Sequence, residues 1–180
     1  MKKIILALMV FAGIASADGF VVGSELTYGK VDSDLTASLG GASASVSGDT
    51  KSIGVAVKGG YEFDAVRVLG TITSEKYKDD MVVDNEGNAV SYGVEVDYMI
   101  DNLFIGGMLA TGSKDFDGTD IDFDDVGVRV GGVFDIGNDA NLEVGVQYKD
   151  RRYDSYTLSG ITLDLDEKIV GVFVGVSFSL

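Results

Sequence analysis

Residues 169–180, IVGVFVGVSFSL, carry apolar side chains at every second position. Successive side chains of a β-strand point to opposite faces. One face of this stretch would therefore present only apolar residues, among them Val172, Val174, Val176, Phe178 and Leu180. The other face contains Gly171 and Gly175. The pattern predicts a strand with one face against an apolar environment.

Seven further segments of about ten residues show the same period of two, as transmembrane strands do. They are residues 20–28, 51–61, 66–74, 90–98, 103–111, 126–134 and 142–149. Valine dominates them, and strands favour β-branched residues. Together with the final stretch they predict eight strands.

The connections between these segments alternate in length. The long ones are residues 29–50, 75–89, 112–125 and 150–168, and the short ones are residues 62–65, 99–102 and 135–141. An up-and-down membrane barrel has short turns at one end and long loops at the other. Residues 36–50, rich in Ser, Ala, Gly and Thr, predict a flexible first loop. Arg151, Arg152, Tyr153 and Tyr156 are expected at the outer rim, at the level of the lipid headgroups.

The two faces of the segments favour a membrane barrel over a soluble one. Charged residues fall on one face, and that face is rich in glycine, which suits a cramped barrel interior. Aromatic residues of the apolar face lie at segment ends, like an interfacial girdle. These are Tyr28, Tyr61, Tyr98, Phe134, Tyr148 and Phe178. A strand of ~10 residues at ~3.3 Å each, tilted ~45°, climbs about 23 Å, close to an apolar band of ~25 Å.

The inward face of this barrel is predicted to hold four acids and four bases. They are Glu25, Lys58, Arg67, Glu95, Asp97, Arg129, Glu143 and Lys149. Side chains just fill an eight-stranded barrel, and an unpaired buried charge is costly. We therefore expect charge pairs that plug the lumen, with a narrow pore as the alternative. The pattern does not show which face of residues 103–111 points inward, because apolar residues occupy both faces.

The amino-acid composition excludes several kinds of catalytic and binding site. The 180 residues include no Cys, His, Pro or Trp, and their formal charge is −15. Disulfides, thiolate sites and imidazole catalysis are therefore excluded, and the acidity argues against a nucleic-acid partner. Residues 113–125 contain alternating aspartates but lack the full ligand set of a calcium loop. We predict no metal site, no cofactor and no enzyme activity. Loosely held divalent cations at the acidic loops stay possible.

Residues 1–17 are predicted to form a cleaved signal peptide. Lys2 and Lys3 precede 11 apolar residues, too few to span a membrane, and Ala15 and Ala17 frame an A-x-A cleavage site. Cleavage would remove two lysines and no acid, which takes the formal charge from −15 to −17. Residues 18–180 would then form the barrel domain.

Three stretches and the final strand resemble the small outer-membrane β-barrel proteins of the OmpA/OmpX type, a porin family. The stretches are YGVEVDYM at residues 92–99, FIGG at 104–107 and LEVGVQY at 142–148. The resemblance implies an all-β, eight-stranded antiparallel up-and-down transmembrane β-barrel in a bacterial outer membrane. It also implies that residues 172–180 serve as a C-terminal assembly signal, with Leu180 in place of the family's usual aromatic residue. Outer-membrane lipids, the barrel assembly machinery and periplasmic chaperones are the implied partners.

Three functions are compatible with the strand pattern and the composition. The leading one is a structural outer-membrane barrel whose long acidic loops interact with the surroundings. The alternative is a narrow porin-like channel for small solutes. A soluble secreted β-barrel that binds an apolar ligand is less favoured, because it would need the apolar face inside. The external partner and the oligomeric state are left open.

Overall fold

The computed structural model describes residues 19–78, 87–116, 118–158 and 160–180. These residues form one antiparallel sheet whose strands are β1 (Phe20–Leu39), β2 (Ala42–Phe63), β3 (Val66–Lys78), β4 (Asn88–Ile100), β5 (Leu103–Phe116), β6 (Thr119–Gly137), β7 (Ala140–Tyr153), β8 (Tyr156–Leu158) and β9 (Ile161–Ser179). Each strand pairs with its neighbours in the sheet, and β1 also pairs with β9. The sheet is thus a closed ring of eight strands, and the predicted antiparallel barrel is confirmed. The short β8 pairs only with β9, among the described strands.

At one end of the barrel the strands are joined by tight turns, as the short connections predicted. The turn between β2 and β3 places Asp64 at φ 46°, and the turn between β4 and β5 places Asp101 at φ 51°. Asn138 and Asp139 both have positive φ between β6 and β7. Asn and Asp tolerate this conformation better than other non-glycine residues, and hairpin turns require it.

At the other end the strands run well past the predicted segments. The ladder between β1 and β2 continues to the Leu39–Ala42 pair, where Gly40 and Gly41 form the turn with φ of 55° and 91°. Glycine adopts such angles without a steric penalty. The prediction of a flexible first loop was wrong, because the polar residues of this segment form a paired β-hairpin. The acidic segment between β5 and β6 is also a hairpin, paired out to Phe116 and Thr119.

The apolar face points outward and the charged face points inward. Val57 and Leu109 are 60% and 62% exposed, whereas Arg129 and Asp97 are 1% and 0% exposed. This inversion contradicts the alternative of a soluble barrel with an apolar interior. Among the described residues, no helix is long and apolar enough to cross a membrane.

The structure settles the orientation of β5. Leu103, Ile105 and Leu109 point outward, and Phe104 is buried in the lumen. The Phe104 ring can enter the lumen because Gly131 on the neighbouring β6 has no side chain. A Cβ atom at Gly131 would lie 2.7 Å from Cζ of Phe104.

Candidate functional site

The lower half of the lumen, toward the tight turns, holds a cluster that we name the inner tier. Its members are Glu25, Lys58, Arg67, Glu95, Asp97, Arg129 and Glu143, and each is at most 6% exposed. Seven of the eight predicted lumen residues therefore lie together. The eighth, Lys149, is also buried but lies in a second cluster nearer the long hairpins.

Arg129 is at the centre of the inner tier. Its Nη2 atom donates a 2.9 Å hydrogen bond to Oε2 of Glu25, and its Nη1 atom donates to Glu95. Lys58 donates to the same two carboxylates, with 3.0 Å between Nζ and Oε2 of Glu95. Two bases and two acids from β1, β2, β4 and β6 thus form a closed group that spans the lumen.

Arg67 holds the remaining acids of the inner tier. Its Nη2 atom lies 2.9 Å from Oδ2 of Asp97, and its guanidinium also donates to both carboxylate oxygens of Glu143. Ser177 supplies a further 2.7 Å hydrogen bond to Glu143. Asp97 connects the two groups, because its Oδ1 atom lies 3.8 Å from Nε of Arg129. Those two atoms have no hydrogen-bond partner in the described structure.

Aromatic rings fill the space between these charges. The guanidinium carbon of Arg129 lies 4.3 Å from the ring centre of Phe173 and 5.1 Å from that of Phe104. Such cation–π contacts stabilise a desolvated cation. Gly131 and Gly145 provide the space that the two rings occupy. Aromatic rings thus fill the space beside these two glycines.

The upper half of the lumen holds a second cluster, the outer tier, which sequence reasoning missed. Its charged members are Glu75, Lys114, Asp125, Lys149, Arg151 and Glu167, and all are buried. Tyr77 and Tyr153 complete it. Five of the six charged residues, all but Lys149, had been assigned to long connections. In the described residues, the buried charged side chains of both tiers are seven acids and six bases.

Arg151 organises the outer tier. It contacts Asp125 through two parallel hydrogen bonds, 2.7 Å from Nε and 2.8 Å from Nη2, and it donates a 2.7 Å bond to Glu75. Its guanidinium carbon lies 3.8 Å from the ring centre of Phe123. The expectation that Arg151 lies at the rim was wrong, because β7 continues upward and turns this side chain inward. Arg152 is exposed, with Nε 3.5 Å from Oδ1 of Asp150.

Lys114, Glu167 and Tyr153 close the lumen beyond the apolar band. Nζ of Lys114 lies 2.8 Å from Oε1 of Glu167, and the Tyr153 hydroxyl donates a 2.9 Å bond to the other carboxylate oxygen. Burial and the adjacent Glu167 carboxylate raise the pKa of Tyr153, and burial lowers the pKa of Lys114. The expectation that Tyr153 lies at the headgroup level was therefore wrong as well. Tyr156 is exposed.

A cluster of apolar side chains packs around the charged residues of the outer tier. Its buried members are Val31, Tyr77, Ala89, Phe123, Tyr153 and Ile169. Ile121 and Leu165 pack against it from the hairpins above. Salt bridges and apolar packing therefore both occupy the lumen at the end of the barrel from which the long hairpins project.

No protein-family model matches the sequence, and no curated protein matches it either. Among solved structures, the crystal structure of Neisserial surface protein A (NspA) is similar, with a TM-score of 0.52, 17% identity, and 88% of this chain and 96% of that chain covered. The solid-state NMR structure of outer membrane protein AlkL in DMPC lipid bilayers has a TM-score of 0.54, 15% identity, and 91% of both chains covered. The chain has the fold of the small outer-membrane β-barrel proteins.

Two small cavities lie in the lumen among the residues that the structure describes. A cavity of about 30 Å³ lies between the two tiers, lined by carboxylates and hydroxyls that include Glu25, Thr73, Glu75 and Ser91. A second cavity of about 10 Å³ lies beside Glu25, Lys58 and Glu143. One water needs roughly 10–15 Å³ of such space. The larger cavity therefore has room for about two waters between the layers of charge.

The other predicted sites of the barrel lie at its outer surface or outside the described residues. Val172, Val174, Phe178 and Leu180 face outward and are exposed, and Val176 is partly buried. Ala15 and Ala17 are outside the described residues, so the cleavage site stays a prediction.

The acidic hairpin between β5 and β6 makes local contacts. Oδ1 of Asp115 accepts a 2.7 Å hydrogen bond from the Gly118 amide, which closes the turn. In the described part of the chain, no group of three carboxylates is arranged to hold a metal ion.

Proposed function

We propose that this chain is an integral outer-membrane barrel with a closed lumen, whose projecting strand hairpins interact with the surroundings. The filling of the lumen carries the proposal. Two tiers of paired charges and the rings of Phe104 and Phe173 occupy it, and the larger cavity between the tiers is only about 30 Å³. The outward apolar face and the likeness in fold to NspA and AlkL support a membrane location.

The connectivity of the charges supports a plug rather than a pore. Arg129 and Arg67 each connect strands that are not adjacent in the ring. Moving Arg67 aside would break the ion pair of the buried Glu143, and moving Arg129 aside would leave Glu25 and Glu95 to share Lys58; breaking a buried ion pair costs roughly 3–5 kcal/mol. The tiers therefore close the lumen at two heights and also stabilise the barrel.

The hairpins are suited to an interaction role because they are ordered and acidic. The β1–β2 hairpin extends eleven residue pairs beyond the outward-facing Tyr28. The β5–β6 hairpin exposes Asp120, Asp122 and Asp124. A rigid, charged surface loses less conformational freedom on binding than a flexible loop does.

Planar-bilayer recording tests the closed lumen. We expect no steady unit conductance from the wild type. Arg129→Ala, which would remove the central cation of the inner tier, should raise the frequency of brief openings. Steady unit conductance in the wild type that changes on Arg67→Ala or Arg129→Ala would favour the narrow-channel alternative. The cavity between the tiers is the observation that keeps that alternative open.

Hairpin deletion tests the interaction role. Replacing residues 35–48 by a two-residue turn should preserve the barrel and reduce binding of the protein to whole cells or extracellular matrix. A matched truncation of the β5–β6 hairpin distinguishes one hairpin from the other. Unchanged binding after both truncations would contradict the interaction role without affecting the barrel.

Biogenesis supplies the remaining proposed partners. We infer that the outward-facing residues from Val172 to Leu180 guide recognition by the assembly machinery, after export through the cleaved signal peptide and passage with periplasmic chaperones. Phe178→Ala should slow the appearance of folded protein in cells, whereas Phe134→Ala, an exposed aromatic residue on β6, should not. Equal rates for the two variants would contradict the signal.

A further inference from the structure

The β1–β2 hairpin ends in a strand edge that no other described strand covers. β3 accompanies β2 only as far as the pair of Lys51 with Lys78. From Ala42 to Asp49, β2 pairs with β1 on one side and, among the described residues, with no strand on the other. Every residue of this stretch is exposed. β1 differs, because it is paired on both sides, with β2 and with β9, as far as Ser38.

The turn of the hairpin determines which backbone groups point away from β1. Gly40 and Gly41 form a two-residue turn in which both φ angles are positive. In such a hairpin the pair next to the turn, Leu39 with Ala42, exchanges both backbone hydrogen bonds, and so does every second pair after it. We name residues 42–48 of β2 the tip edge. Its residues in the intervening pairs direct their N–H and C=O groups away from β1, and they are Ser43, Ser45 and Ser47.

The tip edge lacks the features that usually prevent two sheets from joining. Natural edge strands are short, or they carry charged residues or proline. The strand β8, which pairs only with β9 among the described strands, has three residues. Residues 35–48, by contrast, include no charged residue, and the chain has no proline. The tip edge is therefore open to pairing with a further strand.

The side chains of the tip edge are already engaged within the hairpin. The hydroxyl oxygen of Ser45 lies 3.0 Å from that of Thr36 on β1. The Ser47 hydroxyl donates a 2.6 Å hydrogen bond to Oδ1 of Asp34. The groups that the tip edge offers to a partner are thus those of its backbone.

The tip edge is complementary to itself in an antiparallel register. If Ser45 lies opposite Ser45 of a second copy, Ser43 lies opposite Ser47, and the backbone groups of all these residues point toward the partner. Ala44 then lies opposite Val46, so apolar side chains share one face. Asp49 falls beyond the overlap, and like charges do not meet across the pairing. Backbone hydrogen bonds can therefore form without repulsion between facing side chains.

We propose that the tip edge joins two copies of this chain that face each other from two membranes. β2 runs from the tip toward the barrel in every copy, so copies in one membrane present parallel edges, whereas copies in opposed membranes present antiparallel ones. The formal charge of −15 makes two copies repel each other, and the uncharged tip lowers that repulsion. This inference rests on the proposed interaction role of the hairpins and names a second copy as the partner.

Clustering of vesicles tests this pairing. Full-length protein is refolded into phosphatidylcholine vesicles with the hairpins outside, as protease access confirms, and particle size is followed by light scattering. Ser45→Pro removes an N–H that points to the partner and leaves the hydrogen bonds between β1 and β2 intact, since proline is tolerated on an edge strand. Ser45→Ala is the matched control, because it loses the same hydroxyl and keeps the N–H.

We expect wild-type and Ser45→Ala vesicles to cluster. Ser45→Pro vesicles should cluster at least about tenfold more slowly, because many weak pairings act together between two vesicles and each is lost. Equal clustering rates for the two variants would overturn the proposal. Clustering of protein-bearing vesicles with protein-free vesicles would also overturn it, because the partner would then be lipid.

Cysteine cross-linking tests the register without a proline. The chain has no cysteine, so Ser45→Cys supplies one thiol per copy. Residues opposite each other in a hydrogen-bonded antiparallel pair have Cα atoms about 5.5 Å apart, a distance that a disulfide spans. Thr119→Cys, exposed at the turn of the β5–β6 hairpin, is the control. Mild oxidation should join Ser45→Cys copies at least about tenfold faster than Thr119→Cys copies, and equal rates would overturn the register.

Failure of the pairing is distinguishable from failure of the proposed function. If wild-type vesicles do not cluster while truncation of residues 35–48 still reduces binding to cells or matrix, a second copy is the wrong partner and the interaction role stands. If the protein does not float with the vesicles, the membrane location itself is contradicted.

Discussion

Arg129 on β6 reaches across the lumen to Glu25 on β1, with 2.9 Å between Nη2 and Oε2. The two residues are 104 positions apart in sequence, and their strands are not neighbours in the ring. Ladder hydrogen bonds connect only adjacent strands. This contact therefore joins two parts of the barrel wall that no ladder connects directly.

Replacing Arg129 should destabilise the barrel strongly. Arg129→Ala leaves Glu25 and Glu95 with Lys58 as their shared cation, and a broken buried ion pair costs roughly 3–5 kcal/mol. Urea unfolding of protein inserted in vesicles measures the loss. Because the chain has no tryptophan, circular dichroism or gel migration reports the folded fraction. Arg152→Ala, an exposed arginine, should change stability by about 0.5 kcal/mol or less. Equal losses for the two variants would contradict the structural role of the inner tier.

The inward glycines are required where aromatic rings cross the lumen. Gly131→Ala places a Cβ atom 2.7 Å from Cζ of Phe104 and 2.8 Å from the Val144 carbonyl oxygen, which is backbone. Overpacking of this kind costs roughly 1–3 kcal/mol. Gly59→Ala is the matched control, because the nearest atom to its Cβ lies 4.0 Å away. The same urea titration should show a lower midpoint for Gly131→Ala only.

Phe104→Leu should recover part of the loss in Gly131→Ala, because it removes the ring atoms that the new methyl group meets. If the double variant is no more stable than Gly131→Ala, the new methyl group is strained mainly by the Val144 carbonyl oxygen.

The residues of the inner tier were predictable because apolar and polar side chains alternate clearly where the strands cross the apolar band. Arg129 stands between the outward Val128 and Val130, and Glu143 stands between Leu142 and Val144, so their direction follows from the period of two. The outer tier was missed because the outward face becomes polar beyond the band, and the alternation of hydrophobicity disappears. Counting by twos from Gln147 through Lys149 to Arg151 would have kept the parity and placed Arg151 inside.

The orientation of β5 was not predictable from its own residues. Phe104 and Leu103 are both apolar, and the choice between them depends on the partner strand. Gly131 lies opposite Phe104 in the ladder and leaves room for its ring. The pairing register, which the sequence did not show, therefore decides which of the two side chains enters the lumen.

The outer tier should order the strand extensions beyond the membrane. Arg151→Ala removes both hydrogen bonds to Asp125 and the contact with Phe123. Amide hydrogen exchange should accelerate in residues 112–125 and stay slow in residues 51–61 of the membrane band. Arg152→Ala serves as the control at the adjacent, exposed position. Unchanged exchange in Arg151→Ala would mean that the backbone hydrogen bonds of the hairpins keep the strand extensions ordered, without help from the outer tier.

Tyr77 and Tyr153 should ionise later than ordinary tyrosines. Burial raises the pKa of both hydroxyls above the ordinary value of 10.0, assisted by Glu75 for Tyr77 and by Glu167 for Tyr153. Absorbance at the tyrosinate band, followed against pH in detergent, should show a late phase. Tyr77→Phe/Tyr153→Phe should remove it, and Tyr156→Phe, an exposed control, should leave it intact.

The delayed ionisation also sets the alkaline limit of stability. In the unfolded chain these tyrosines release their protons near pH 10, whereas in the folded barrel they keep them. The folded state then binds more protons than the unfolded state, so the free energy of unfolding decreases as the pH rises above about 10. The double phenylalanine variant should show a shallower decrease in urea midpoint between pH 9 and pH 11 than the wild type. A parallel decrease in both proteins would mean that other groups cause the alkaline loss.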